Sequence, residues 1–154
     1  MALKLFRGKT KLMYFRGDTA REVRDGGLVF LTDSATIVPL RNDSLDRPLG
    51  VARRNDTITD SALVPVEVPV EDFVEWEFDV DSDVGLVAAS VGSYMAIDTT
   101  GGGSVNAGDS AGMRVDQSDT AVRTIFVTGF ISASKGIGVL ARKASSIIPD
   151  TGTV

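Results

Sequence analysis

The stretch from Val70 to Asp83, VEDFVEWEFDVDSD, constrains the fold more than any other part of this chain. Val74, Trp76, Phe78 and Val80 alternate with Glu75, Glu77 and Asp79, and acids continue at Asp81 and Asp83. A period of two puts the apolar set on one face of a β-strand and the acidic set on the other. A helix would scatter both sets around its axis. The chain's single tryptophan falls on the apolar face. The spacing predicts a core strand with Trp76 buried between Val74 and Phe78, and a strongly anionic outer face.

The same short period recurs along the chain. Strands are expected at Leu28 to Leu31, Thr36 to Leu40, within Leu49 to Arg54, Leu63 to Val70, Leu86 to Ala89 and Tyr94 to Ile97. Met113 to Val115, Val122 to Val127, Phe130 to Ser132 and Ile137 to Leu140 complete the set. Gly26-Gly27 and Asp81 to Gly85 read as turns. Arg41 to Pro48, Arg54 to Ser61 and Thr99 to Ser110 read as polar or glycine-rich loops. Pro65 and Pro69 each remove a ladder donor, which predicts an edge position for the strand holding them. About ten short strands with frequent turn signals and no 3.6-residue periodicity predict an all-β domain, a small β-barrel or β-tulip-like form or a sandwich. The organisation expected is an extended N-terminal arm over 1–25, a β domain over 26–143 and a tail over 144–154.

A chain of 154 residues is long enough to bury a core without staples. It contains no Cys and no His. Disulfides, thiolate metal sites, Ser-His-Asp and Cys-His constellations and His-ligated zinc are therefore excluded. No apolar run approaches the roughly 20 residues of a membrane helix, and the basic N-terminus has no uninterrupted apolar segment of the signal-peptide kind. The expectation is a soluble protein made in the cytoplasm, with no membrane partner.

Short motifs are present but incomplete. Thr128-Gly129 and Gly136-Ile137-Gly138 resemble a dinucleotide fingerprint, yet the spacing is wrong and no βαβ unit follows. Hairpin glycines explain them better. Ser132 and Lys135 match S-x-x-K without the motif's partners. Gly8-Lys9-Thr10 ends like a phosphate-binding loop without its upstream glycine or strand. Asp79, Asp81 and Asp83 resemble the start of a Ca²⁺ loop, but its closing glutamate position is Ser90. A solvated outer face that discourages edge pairing accounts for these acids, and no cofactor or metal is called.

Charge is uneven. Residues 1–54 hold 11 basic and six acidic side chains, whereas residues 55–154 hold five basic and 15 acidic ones. An acidic body with a basic front end suggests contact with a partner through the front end, or neutralisation within the molecule. The arm mixes Lys4, Arg7, Lys9, Lys11 and Arg16 with Leu12, Met13, Tyr14 and Phe15, and Leu12 to Phe15 reads as a short strand able to pair with an exposed edge. Acids at Asp18, Glu22 and Asp25 argue against nucleic acid. Arg53 and Arg54 flank a polar loop and are suited to gripping an acidic protein surface, or are ordinary surface charge.

The arrangement PLGVARRNDTITDSALVPVEVPV, VGSYMAIDTTGGGSVN and IFVTGFIS…GIGVLARK resembles the capsid decoration, or cement, proteins of tailed bacteriophages. The likeness lies in a "GVA" strand, a run of valines, a Gly-Tyr-Asp-Gly-Gly hairpin and a closing "GIGVL" strand, over residues 26–142. It implies a virion structural protein that binds the capsid exterior and stabilises the shell, with the major capsid protein as partner. It also implies a homo-oligomer, commonly a trimer, and no catalytic residues. Two other classes fit more faintly: a dUTPase-like trimeric enzyme, echoed by Tyr94 to Asp98, and a carbohydrate- or receptor-binding virion module, for which exposed aromatics are scarce.

Overall fold

A computed structural model of the chain describes residues 3–17, 21–23, 25–32, 34–39, 48–58, 63–80, 85–98, 114–116 and 124–141. Its strands are β1 Lys4–Arg7, β2 Thr10–Arg16, β3 Arg21–Val23, β4 Leu28–Leu31, β5 Ile37–Pro39, β6 Gly50–Ala52, β7 Asp56–Ile58, β8 Leu63–Pro69 and β9 Glu75–Asp79. β10 Tyr94–Asp98, β11 Arg114–Asp116, β12 Ile125–Ser132 and β13 Lys135–Leu140 follow a single 3-10 turn at Ala88–Ser90. A first sheet has the order β1-β9-β13-β12-β10-β11, a second the order β2-β8-β6-β4-β5, and β3 pairs with β7 alone. The all-β expectation holds, and of the forms left open it is the sandwich: the sheets are not closed into a barrel. One isolated parallel bridge, Gly17 to Ile37, draws the end of β2 toward β5 and curls the second sheet.

The alternation in β9 survives except at Glu75, which is buried with its apolar neighbours. Val74, Trp76, Phe78 and Val80 are buried, while Glu77 and Asp79 on the other parity stay half-buried. Trp76 and Phe78 join Leu3, Leu28, Val51, Leu86, Met95, Ile125, Val127 and Leu140 in the core between the two sheets. Opposite Trp76, β13 carries Gly138, where an added Cβ would stand 2.5 Å from Ile125 Cγ2 and 2.8 Å from the Phe126 carbonyl. The glycines of the false dinucleotide motif are thus β-hairpin residues that make room for the aromatic core. A second cluster, with Val23, Val29, Ile37, Leu49, Ala52, Val64, Val66 and Val68, lies on the other face of the second sheet.

The expected arm is corrected by the pairing. Residues 3–17 and 21–23 do not form an extension outside the domain: β1 pairs with β9 in the first sheet, β2 with β8 in the second and β3 with β7. Leu3 is fully buried, and Met13 and Phe15 pack against the second core. The chain crosses from one sheet to the other at Gly8, whose φ of 112° lies in the region that glycine tolerates and whose missing Cβ would sit 2.9 Å from Val74 Cα. The segment from Val70 to Val74 makes the matching crossover between β8 and β9. The two halves form one bent ribbon, closed by Val70 N–H to the Lys9 carbonyl (3.1 Å) and Lys9 N–H to Glu71 Oε1 (2.8 Å).

Four further expectations change. β8 is an inner strand between β2 and β6, despite its two prolines. Val70 N–H bonds toward β2, so even-numbered amides face that neighbour; the Pro65 carbonyl accepts from Arg53 N–H (3.0 Å), so odd-numbered groups face β6. β6 is only three residues long and is registered with Val66 and Glu67, leaving the imino nitrogens of Pro65 and Pro69 beyond its ends. The loop expected over Arg54 to Ser61 contains β7, which pairs with β3; strands of three residues are too short to display a period. Leu86 to Ala89 is not a strand, because the chain turns at Ala88–Ser90, where Val87 N–H donates to the Ser90 hydroxyl (3.3 Å). The described parts of the expected strands 122–127 and 130–132 belong to the single strand β12, Ile125–Ser132. Thr99 to Ser110, Arg41, Arg47, Asp81 to Val84 and the tail 144–154 lie outside the described residues.

Candidate interaction surface

The bent ribbon puts most of the cationic and apolar residues singled out in the sequence along one structural feature. β1 is the terminal strand of the first sheet and β2 the terminal strand of the second. In β2 the odd residues bond to β8, by the parity argument above. The backbone groups of Thr10, Leu12 and Tyr14 therefore point away from β8, where no strand among the described residues is paired with them. Lys4 and Arg7 on β1, Lys9 at the corner, and Lys11, Leu12, Tyr14 and Arg16 on β2 are exposed. Tyr14 reaches 61% exposure, and Phe6 and Leu12 are about half exposed. Leu63, opposite Arg16, and Phe73, just before β9, extend the same apolar margin.

Phe73 and Phe6 were missed as surface residues, yet Phe73 carries a legible signal. It sits on the odd parity of a stretch whose buried apolar residues are all even, so it faces away from Trp76. Met13 and Phe15 separate from the proposed binding set for the same reason in reverse, because their parity turns them into the second core.

The two arginines after β6 part company. Arg53 is an internal tie: its guanidinium pairs with Glu67, approaches Asp25 Oδ1 at 3.6 Å, donates to the Leu3 carbonyl at 3.0 Å and lies 5.8 Å over the Trp76 ring. It holds the acidic body and the basic N-terminus together from within, which corrects its reading as a partner-gripping residue. Arg54 stays exposed and donates to the Leu63 carbonyl at 2.8 Å. Arg7 reaches Glu75 at 3.2 Å and packs over Phe6.

The anionic face of β9 is largely neutralised. Glu75 is buried, paired with Arg7 and accepting from the Thr128 hydroxyl at 2.7 Å. Glu77 and Asp79 share the Lys135 amine, each at 3.2 Å. Hydrogen bonds to Asp79 and then Glu77 raise the Lys135 pKa above its ordinary value. A lysine serving as a catalytic base needs the opposite shift, and the Ser132 hydroxyl is engaged with Ser134 instead (3.3 Å). Among the described residues no group of three acidic side chains is gathered as a metal site would require. Tyr94, of the faint dUTPase echo, packs against Phe126 with ring centroids 5.0 Å apart. No helix among the described residues is long and apolar enough to cross a membrane.

Comparison with protein-family models, with curated proteins and with solved structures gives no match to this chain.

Proposed function

We propose that this protein is a virion structural protein that attaches to the outside of a phage capsid and stabilises the shell, acting as a homo-oligomer on the major capsid protein. The observation that carries the reading is the β1–β2 ribbon: terminal in both sheets, with open backbone groups along β2 and exposed apolar side chains among five cations. Such an edge offers main-chain hydrogen bonds and apolar contact together, while its charge steers approach to an acidic surface. The sequence resemblance supplies the kind of particle.

Anchoring on a surface of this kind needs no mobile arm, because the binding groups are held by the fold before contact. The test is co-sedimentation of the purified protein with virus particles stripped of it. Binding that is abolished by Leu12→Asp with Tyr14→Asp, and weakened modestly by salt, is the expected result. Wild-type protein that stays in the supernatant, or a double variant that decorates with unchanged affinity, overturns the reading.

A further inference from the structure

We infer that Arg53, Glu67 and Thr10 form a polar clasp that fixes the angle between the two arms of the β1–β2 ribbon and so positions the attachment edge. The inference rests on the attachment reading above. The ribbon bends at Gly8, and one arm of the bend lies in each sheet. Trp76 stands opposite Leu5 in the first arm, and Glu67 stands opposite Leu12 in the second. Arg53 reaches both. Its guanidinium lies 5.8 Å over the Trp76 ring, and its Nε donates to Glu67. Its Nη1 donates to the carbonyl of Leu3, directly before β1, at 3.0 Å. The other oxygen of Glu67, Oε1, accepts from the hydroxyl of Thr10, the first residue of β2, at 2.7 Å. One carboxylate–guanidinium pair is therefore bonded to both arms at once.

Each arm follows the strand it pairs with, so the angle between the arms is that between the two sheets at this edge. Apolar packing between the sheets is non-directional, whereas the bonds of a guanidinium fork have fixed directions. The side chains of Arg53 and Glu67 are 24% and 17% exposed, so water competes weakly for these bonds. A partner that spans the ribbon meets Lys4 and Arg7 on one arm and Lys11 and Tyr14 on the other. An angle that wanders must be fixed on binding, and that ordering is a cost the clasp removes beforehand.

The chain has no cysteine, so paired spin labels on Lys4→Cys and Lys11→Cys report the angle directly. The wild-type background is expected to give one narrow distance distribution, and Arg53→Lys, Glu67→Gln and Thr10→Val each a broader one. The same three substitutions without labels should weaken co-sedimentation with stripped particles by about fivefold or more. Thr10→Ser keeps the hydroxyl and should recover both readouts. Met95→Ala is the control for stability alone. It removes core volume on β10, with β9, β13 and β12 between it and β1, and should change neither readout. Should Arg53→Lys lose its β-sheet circular dichroism, Thr10→Val decides. Distances that stay narrow in Glu67→Gln and Thr10→Val, or binding that Met95→Ala weakens as much as they do, overturn the inference. So does a broadened distribution with unchanged binding, which leaves the attachment reading standing. A wild type that fails to bind particles removes the attachment reading instead, and the label distances then decide by themselves whether the clasp sets the angle.

Discussion

The Arg53 guanidinium lies over the Trp76 ring, 5.8 Å from its centroid, while its other side is bound to Glu67. A residue of the basic front end thereby seals the edge of the core strand of the acidic body. Arg53→Lys should not rescue Arg53→Ala, because a single ammonium cannot span Glu67, the Leu3 carbonyl and the indole face. Both variants are expected to lose about 2–3 kcal/mol, read from the denaturant midpoint. A loss within about 0.5 kcal/mol would place Arg53 among ordinary surface charges.

Trp76 fills the core, and its indole nitrogen has no hydrogen-bond partner among the described residues. Trp76→Ala should cost about 3–5 kcal/mol. The free protein should show the short-wavelength fluorescence of a buried indole, shifting to the long-wavelength emission of exposed indole only on unfolding.

Gly138→Ala should be destabilising by about 1–3 kcal/mol, since a methyl group there meets Ile125 and a backbone carbonyl at distances that real Cβ atoms do not reach. Thermal denaturation with intact β-sheet circular dichroism below the transition is the check.

Removing residues 1–17 should unfold the domain instead of leaving a folded body. The deletion strips the terminal strand from both sheets, removes the buried Leu3 and uncovers the side of β8 paired with β2. Loss of a cooperative unfolding transition is expected. A truncated protein with a sharp transition would restore the separable arm.

Lys135 gives a pH dependence of defined sign. Its pKa is raised in the folded state by Asp79 and Glu77, so its contribution is complete below the ordinary lysine value of 10.5 and is lost as pH climbs through the raised value. The stability difference between wild type and Lys135→Met should therefore persist through neutral pH and shrink as pH climbs past the ordinary lysine value. The effect is small because the amine is exposed. A difference that vanishes near neutral pH would sink the assignment.

Each strand carries in its own sequence a record of which face is buried. That is why Val74 to Val80 placed Trp76 and Phe78 in the core, and why β4, β5, β6, β8, β10 and β13 fell where alternation or β-branched runs put them. The same parity marks Phe73 as outward, whereas Leu12 to Phe15 are apolar throughout, and only the packing of the fold turned Met13 and Phe15 inward. What a strand's sequence does not record is its neighbour on either side. Pairing is made by backbone groups common to all residues, between segments far apart in the chain: Lys4 meets Glu77, and Thr10 meets Pro69. Only the tertiary structure therefore decided that the basic N-terminus is a ribbon belonging to both sheets, that Pro65 and Pro69 lie within an inner strand, and that Arg53 belongs to the core's edge. A cation on a short strand reads identically whether its partner is a distant capsid or Glu67 of the same chain, and the fold chose Glu67 because β6 and β8 lie side by side.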